Sequence, residues 1–214
     1  MASAIPKAYK QQSFDHLTGL EGISDAQVKE HLELYAGYVK NVNALNHELA
    51  EIRGKGKPSG TNPEFAELTR RLGYEYNGMI LHEYYFSNLR RHADPAPPSG
   101  SALGQALNTA FPSIDKWKED FQAIGGMRGI GWVILFEDPA TRRLSNHWVS
   151  MHQNGIPAGF KPLLVMDVWE HAFMRDYKAT EKAKYVEAFF RNVDWQTVER
   201  RLGAERAMRP AAAA

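Results

Sequence analysis

The sequence predicts an all-α half followed by an α+β half. Apolar residues recur at spacings of three and four through most of residues 24–92, which is the period of a helix that buries one face. A proline-rich run at 94–101 interrupts this pattern, and short apolar β-rich segments alternate with helical ones beyond it. We therefore divide the chain into an N-terminal arm and helical hairpin (1–93), a linker (94–101) and a C-terminal α+β domain (102–214).

The first predicted helix begins after Ser24. Ser24 with Gln27 three residues later forms a capping-box pattern, and apolar residues then keep a helical spacing as far as Ile52. Residues 1–20 show no such period and are expected to form an extended arm.

The second predicted helix starts at Pro63, a residue suited to a first helical position. Its apolar spacing continues to about His92, with a break expected at Gly73 or Gly78. Two long helices joined by a short connection are expected to pack as an antiparallel hairpin.

The C-terminal half combines short helices with a β-hairpin and a further strand. The last four alanines are expected to be disordered. The predicted elements are helices at 102–110 and 113–127, hairpin strands at 131–136 and 144–151, a third strand at 160–166, a helix at 170–191 and a short helix from Thr197.

Composition excludes several classes of site. The chain has no cysteine, so disulfides, iron–sulfur clusters, thiolate zinc sites and cysteine nucleophiles are ruled out. Its net charge of +1 offers no basic surface for nucleic acid, which we do not expect as a partner. No apolar stretch approaches the roughly 20 residues that span a bilayer. We expect a soluble cytoplasmic protein without a membrane partner.

Two histidines fall on the apolar faces of the predicted hairpin. His31 lies on the stripe of the first helix and His82 on that of the second. Histidine is the commonest metal ligand in proteins. Each one taken alone is also explained as a hydrogen-bonded histidine of the core.

The segment Asp167-Val-Trp-Glu-His171 follows directly on an apolar strand. A carboxylate at the end of a strand, with a histidine four residues later, can direct two ligands at one cation, although Asp167 can equally cap the following helix. With His31 and His82 the set would offer three nitrogens and one oxygen. Such a set suits iron or manganese and also zinc.

Asp167-Val-Trp-Glu-His171-Ala172 resembles the ligand signature of the iron/manganese superoxide dismutase family, and other segments resemble that family in the same order. The resemblance covers about residues 15–203. It implies a helical hairpin followed by an α+β domain with a three-stranded antiparallel sheet, and a metal bound by His31, His82, Asp167 and His171. The further segments are Ile23-Ser24, Tyr38-Val39 with Asn41 and Asn43, Asn77-Gly78, Leu81-His82, Asn88-Leu89, Gly129-Ile130-Gly131-Trp132 and Val193-Asp194-Trp195.

Two catalytic side chains are implied by the same resemblance. The family's tyrosine usually follows the first ligand histidine by eight residues, whereas Tyr38 follows His31 by seven. Seven residues are nearly two turns of a regular helix, so we expect an unbulged helix that keeps Tyr38 facing the metal centre. Gly78 cannot supply the family's glutamine, and His152 fits the histidine found in some members, with Gln153 as the alternative.

The resemblance also implies the surroundings of the site and the assembly. Tyr85, Phe86 and Trp169 would line the pocket, although periodic aromatic residues are also typical of a plain core. Glu170 would bond to the ligand histidine of a partner subunit, which predicts a homodimer or a higher homo-oligomer.

The implied reaction converts superoxide to oxygen and hydrogen peroxide at a mononuclear iron or manganese. Tyr38 and His152 would assist proton delivery. Because His152 would act directly on the reduction potential, we expect iron, while manganese or either metal is also compatible. The alternatives are a catalytically silent metal-binding relative and a zinc-dependent hydrolase on the same ligands.

Overall fold

The computed structural model describes residues 7–203. Two long helices, α1 (Asp25–Gly54) and α2 (Pro63–Ser87), form an antiparallel hairpin. The Ser24 hydroxyl accepts from the backbone N–H of Gln27 at the start of α1. Two hydrogen bonds between side chains set the relative position of the two helices. Tyr35 of α1 donates to Glu83 of α2, and Asn41 of α1 donates to Glu75 of α2.

The second helix differs from its prediction in two respects. It runs without a break through Gly73 and Gly78, and it ends at Ser87 rather than near His92. The chain leaves the helix because the buried Asn88 donates to the Val165 carbonyl at 2.5 Å and its own carbonyl accepts from the Asp194 N–H. Tertiary contacts thus end this helix one turn early.

The C-terminal half contains a three-stranded antiparallel sheet, as expected. The strand order is β2-β1-β3, and Trp132 of β1 lies opposite Asp167 of β3. Apart from the second helix and residues 170–191, the predicted ends fall within about two residues of the observed ones, the usual uncertainty at element ends. The elements are α3 (Ala102–Ala110), α4 (Ile114–Gly125), β1 (Gly131–Glu137), β2 (Leu144–Ser150), β3 (Lys161–Asp167), α5 (Lys182–Phe190) and α6 (Trp195–Gly203).

The continuous helix predicted for residues 170–191 is wrong. Two short 3₁₀ helices, Glu170–Ala172 and Ala179–Glu181, precede α5 instead. The intervening turn is held by the start of α1, since the Asp176 carboxylate accepts from both the backbone N–H and the hydroxyl of Ser24. These contacts outweigh the helical pattern of the segment.

The core is continuous from the hairpin to the sheet. Every residue of β1 is buried, and β3 is buried from Leu163 to Asp167. None of the helices in the described part of the chain is long and apolar enough to cross a membrane. The last four alanines lie outside the described residues, and the domain boundary at 94–101 stays a prediction.

Candidate metal centre

The helical hairpin places two imidazoles side by side. His31 lies in the second turn of α1 and His82 in the last two turns of α2, and both are buried. Their ring centroids are 4.9 Å apart and the rings meet edge to face. The hairpin therefore brings together two histidines that are 51 positions apart in the chain.

The last strand and the 3₁₀ turn after it supply two further groups. Asp167 ends β3, and one of its carboxylate oxygens, Oδ2, lies 3.1 Å from Nε2 of His31, 3.1 Å from Nε2 of His171 and 3.6 Å from Nε2 of His82. One donor atom from each of the four residues lies within 4.8 Å of the others. The other oxygen, Oδ1, accepts from the Trp169 N–H and so fixes the backbone just before the turn that carries His171.

The tautomer of His82 follows from its contacts. Its Nδ1 lies 2.6 Å from the Gly78 carbonyl oxygen, which only accepts hydrogen bonds, so Nδ1 carries the proton and donates it. In the neutral ring, Nε2 is then a bare lone pair that is buried, has no hydrogen-bond partner among residues 7–203 and faces the Asp167 carboxylate. Two electron-pair donors that face each other in a buried space are unfavourable unless each has a partner. A cation between them would be the partner of both.

The electrostatics of the cluster favour neutral imidazoles around one anion. Burial lowers the pKa of His31, and it lowers the pKa of His82 well below its ordinary value. Burial alone would raise the pKa of the Asp167 carboxyl, but the adjacent His171 and His31 outweigh it and hold that pKa far below the usual range. Neutral imidazoles and an ionised carboxylate are the ligand forms that a metal requires, and this donor set fits iron or manganese.

A second hydrogen-bonded chain lies against this cluster. The Trp132 indole N–H donates to Nδ1 of His152 at 3.0 Å, and Nε2 of His152 lies 2.7 Å from the Tyr38 hydroxyl. Burial lowers the pKa of His152 to about 4, so the ring is neutral near pH 7. Because Nδ1 accepts, the single proton is on Nε2 and is donated to Tyr38. The hydroxyl proton of Tyr38 is therefore not donated to His152, and the Tyr74 side chain is a second hydrogen-bonding group beside this hydroxyl.

Tyr38 reaches this position on a regular helix. Residues 25–54 form continuous α-helix without a π turn, and the Tyr38 ring lies 5.1 Å from the His82 ring. Gly78 makes this approach possible, since a Cβ built on it would come within 2.5 Å of Cδ1 of Tyr38. The seven-residue spacing therefore keeps Tyr38 and His31 on the same face.

The remaining predicted site residues differ in their distance from the cluster. Tyr85 and Phe86 lie against the His31 ring, with centroid distances of 5.0 and 4.9 Å. Trp169 stacks between His152 and His171. Glu170 and Gln153 are exposed, so His152 rather than Gln153 occupies the position beside Tyr38.

Sequence reasoning missed two residues of this neighbourhood. In the sequence Trp132 stands out only as the end of the segment Gly129-Ile130-Gly131-Trp132, yet its indole N–H fixes the His152 tautomer. Tyr74 carries no signal in the sequence, and its ring lies 4.6 Å from that of His152. No local pattern could have revealed either role, because both depend on where the loop after β2 folds back over the hairpin.

The chain is similar in sequence to known proteins of one family. Residues 98–201 match the model for the C-terminal domain of the iron/manganese superoxide dismutases. The chain is 37% identical over 194 residues to superoxide dismutase [Fe] of Cupriavidus metallidurans, covering 86% of this chain and 91% of the relative. It is 31% identical to superoxide dismutase [Mn/Fe] of Propionibacterium freudenreichii subsp. shermanii (88% and 93% covered) and 34% identical to superoxide dismutase [Mn] of Mycolicibacterium paratuberculosis (86% and 87% covered).

The fold, the site and these relatives together define the class. The chain belongs to the iron/manganese superoxide dismutase family of metal-dependent oxidoreductases. It is a superoxide dismutase, and its substrate is the superoxide anion, which it converts to oxygen and hydrogen peroxide with iron or manganese as cofactor.

We expect Gly78→Ala to destabilise the protein, by about 1–3 kcal/mol, because the added methyl group collides with the Tyr38 ring. Gly73→Ala, in the same helix with nothing within 4 Å of the new Cβ, should instead stabilise it by about 0.5–1 kcal/mol through helix propensity. Urea unfolding of both variants measures the difference. Equal stabilisation by the two substitutions would show that Tyr38 does not pack on Gly78.

The metal-free protein should lose stability as the pH falls from 7.5 to 5.5. The folded pKa values of His31 and His82 are lowered, so the unfolded chain binds more protons once the pH drops through about 6.5. Each such histidine contributes a slope of up to about 1.4 kcal/mol per pH unit. Urea unfolding at several pH values measures the slope, which His82→Gln should reduce. A flat profile would contradict neutral buried imidazoles.

Proposed function

We propose that this superoxide dismutase binds iron through His31, His82, Asp167 and His171, and that Tyr38 and His152 handle the protons. The observation that carries the proposal is the buried lone pair of His82 Nε2 facing the Asp167 carboxylate. A metal held by these four residues would supply the one-electron redox chemistry that the dismutation of superoxide requires.

The ligand residues set the charge of the centre. Three neutral imidazoles and one carboxylate contribute a single negative charge, so the centre stays cationic with a divalent or a trivalent metal. A cationic centre attracts an anionic substrate. The chain as a whole carries a net charge of only +1, so attraction over longer distances must come from local groups.

The reaction consumes two superoxide anions and two protons for each oxygen and hydrogen peroxide formed. Tyr38 holds a hydroxyl proton that His152 does not accept, and it can donate this proton to reduced substrate when the hydroxyl turns from the neighbouring Tyr74. The His152 N–H then stabilises the phenolate oxygen, while the Trp132 indole keeps the imidazole in its orientation. Burial raises the pKa of Tyr38 well above its ordinary value, so the phenol is protonated at rest.

Iron is favoured by His152, not by the names of the relatives, which include iron, manganese and mixed enzymes. A hydrogen-bond donor beside the metal centre tunes the metal's reduction potential. The zinc hydrolase alternative needs a general base near the centre, and Glu170, the acidic residue that precedes His171 in the chain, is exposed. The silent alternative lacks support, since all four ligand residues are assembled.

The test is superoxide decay after rapid mixing, on metal-free protein reloaded with iron or with manganese. We expect fast decay with iron and slower decay with manganese, since one protein environment poises the two metals differently. The control is His82→Ala, which should neither retain stoichiometric metal nor accelerate decay. Equal rates with both metals would refute the iron preference, and stoichiometric metal in the control would refute the ligand set.

We also propose a homodimer in the cytoplasm. Glu170 is exposed beside His171, and Met127 and Met174 are among the most exposed large apolar side chains of the described residues. Light scattering should give twice the mass of one chain, and Glu170→Lys should shift the protein toward the monomer. Glu187→Lys, on the exposed side of α5, should not.

Cell fractionation against a cytoplasmic marker enzyme tests the location.

A further inference from the structure

A buried glutamine connects the start of α1 to the turn that carries His171. The Gln27 side chain is only 2% exposed. Its amide nitrogen donates to the His171 carbonyl oxygen at 2.6 Å, and its amide oxygen accepts from the Arg175 N–H at 3.1 Å. Both ends of the amide are therefore engaged, and their two partners lie on either side of residues 172–174.

The helix that holds Gln27 also holds a ligand residue. His31 follows Gln27 by four residues, so the two side chains lie on the same face of α1. Gln27 is hydrogen-bonded to the turn that carries the ligand residue His171. His31, on the same helix as Gln27, is a second ligand residue. Their shared helix thus fixes the spacing between His31 and His171, whose ring centroids are 5.0 Å apart.

His171 has weaker support from regular structure than the other three residues of the centre. His31 and His82 lie inside long helices and Asp167 ends a paired strand, whereas His171 lies in a three-residue 3₁₀ helix and is 26% exposed. A short 3₁₀ turn has few internal hydrogen bonds to hold its backbone. The position of this imidazole therefore depends on contacts from outside the turn.

We propose that Gln27 is a positioning residue that sets the place of the His171 imidazole at the metal centre by holding its backbone carbonyl. The inference rests on the four-residue metal site proposed above. The sequence marks Gln27 only as part of a helix cap. In this proposal Gln27 also influences how tightly the metal is bound and in what geometry.

A neighbouring contact provides a matched control. Ser24 joins the same two segments through the Asp176 carboxylate, at 2.7 Å from its N–H and 2.6 Å from its hydroxyl, and does not touch His171. Ser24→Ala removes the hydroxyl that caps α1 and bonds Asp176, which costs stability without releasing the His171 carbonyl.

The experiment compares Gln27→Met, Gln27→Glu and Ser24→Ala in the metal-loaded full-length protein. Gln27→Met keeps the length of the side chain but removes both hydrogen bonds. Gln27→Glu can still accept from Arg175 and, when ionised, cannot donate to His171. The measurements are the rate of manganese release to excess chelator, the visible spectrum of the cobalt(II)-loaded protein, and the melting temperature.

We expect both Gln27 variants to release manganese about 10- to 100-fold faster and to change the cobalt spectrum. Ser24→Ala should lower the melting temperature and leave the release rate within about twofold, since it spares the His171 contact. Unchanged release and spectra in the Gln27 variants, or equal acceleration in all three variants, would overturn the inference. Failure of the unaltered protein to hold stoichiometric metal would instead refute the underlying metal site.

Discussion

The buried carboxylate of Asp167 is the constraint on which the rest of the structure depends. A single negative charge in an apolar interior is strongly unfavourable unless it is paired or coordinated. This one is surrounded by three imidazoles, two of which burial keeps neutral, so a cation bound at the proposed site would supply the compensating charge. The helical hairpin, the last strand and the turn after it each deliver one or two groups to this point. The fold is thereby tied to the metal that the enzyme needs.

The two hydrogen-bonded chains of the site divide the chemistry between them. In the function proposed above, the ligand cluster holds a cation, and the chain from Trp132 through His152 to Tyr38 directs protons. The chains meet because Trp132 lies opposite Asp167 in the sheet, while Tyr38 packs against the helix that carries His82. In the proposed site, electron transfer and proton transfer would therefore occur next to each other, between the helical hairpin and the sheet.

Much of this arrangement could be predicted from the sequence, and what could not has identifiable physical causes. Helical spacing placed His31 and His82 on buried faces, and the strand before Asp167 was evident from its apolar residues. The helix predicted for residues 170–191 failed because Ser24 and Gln27, nearly 150 positions away, hold the segment in turns. The role of Trp132 was equally hidden, since it depends on which imidazole nitrogen a folded loop presents.

Because the first helix is regular, the number of residues between His31 and Tyr38 determines the angle between their side chains around the helix axis. Each residue of an α-helix turns the chain by about 100°, so one residue inserted between the two without a compensating bulge would swing Tyr38 around the helix axis, away from His152. Every later side chain of α1 would turn with it, including Asn41, which bonds the buried Glu75. The length of this stretch is therefore more strongly constrained than the identity of its exposed residues. In this protein the number of residues between His31 and Tyr38 sets the angle at which Tyr38 leaves the helix.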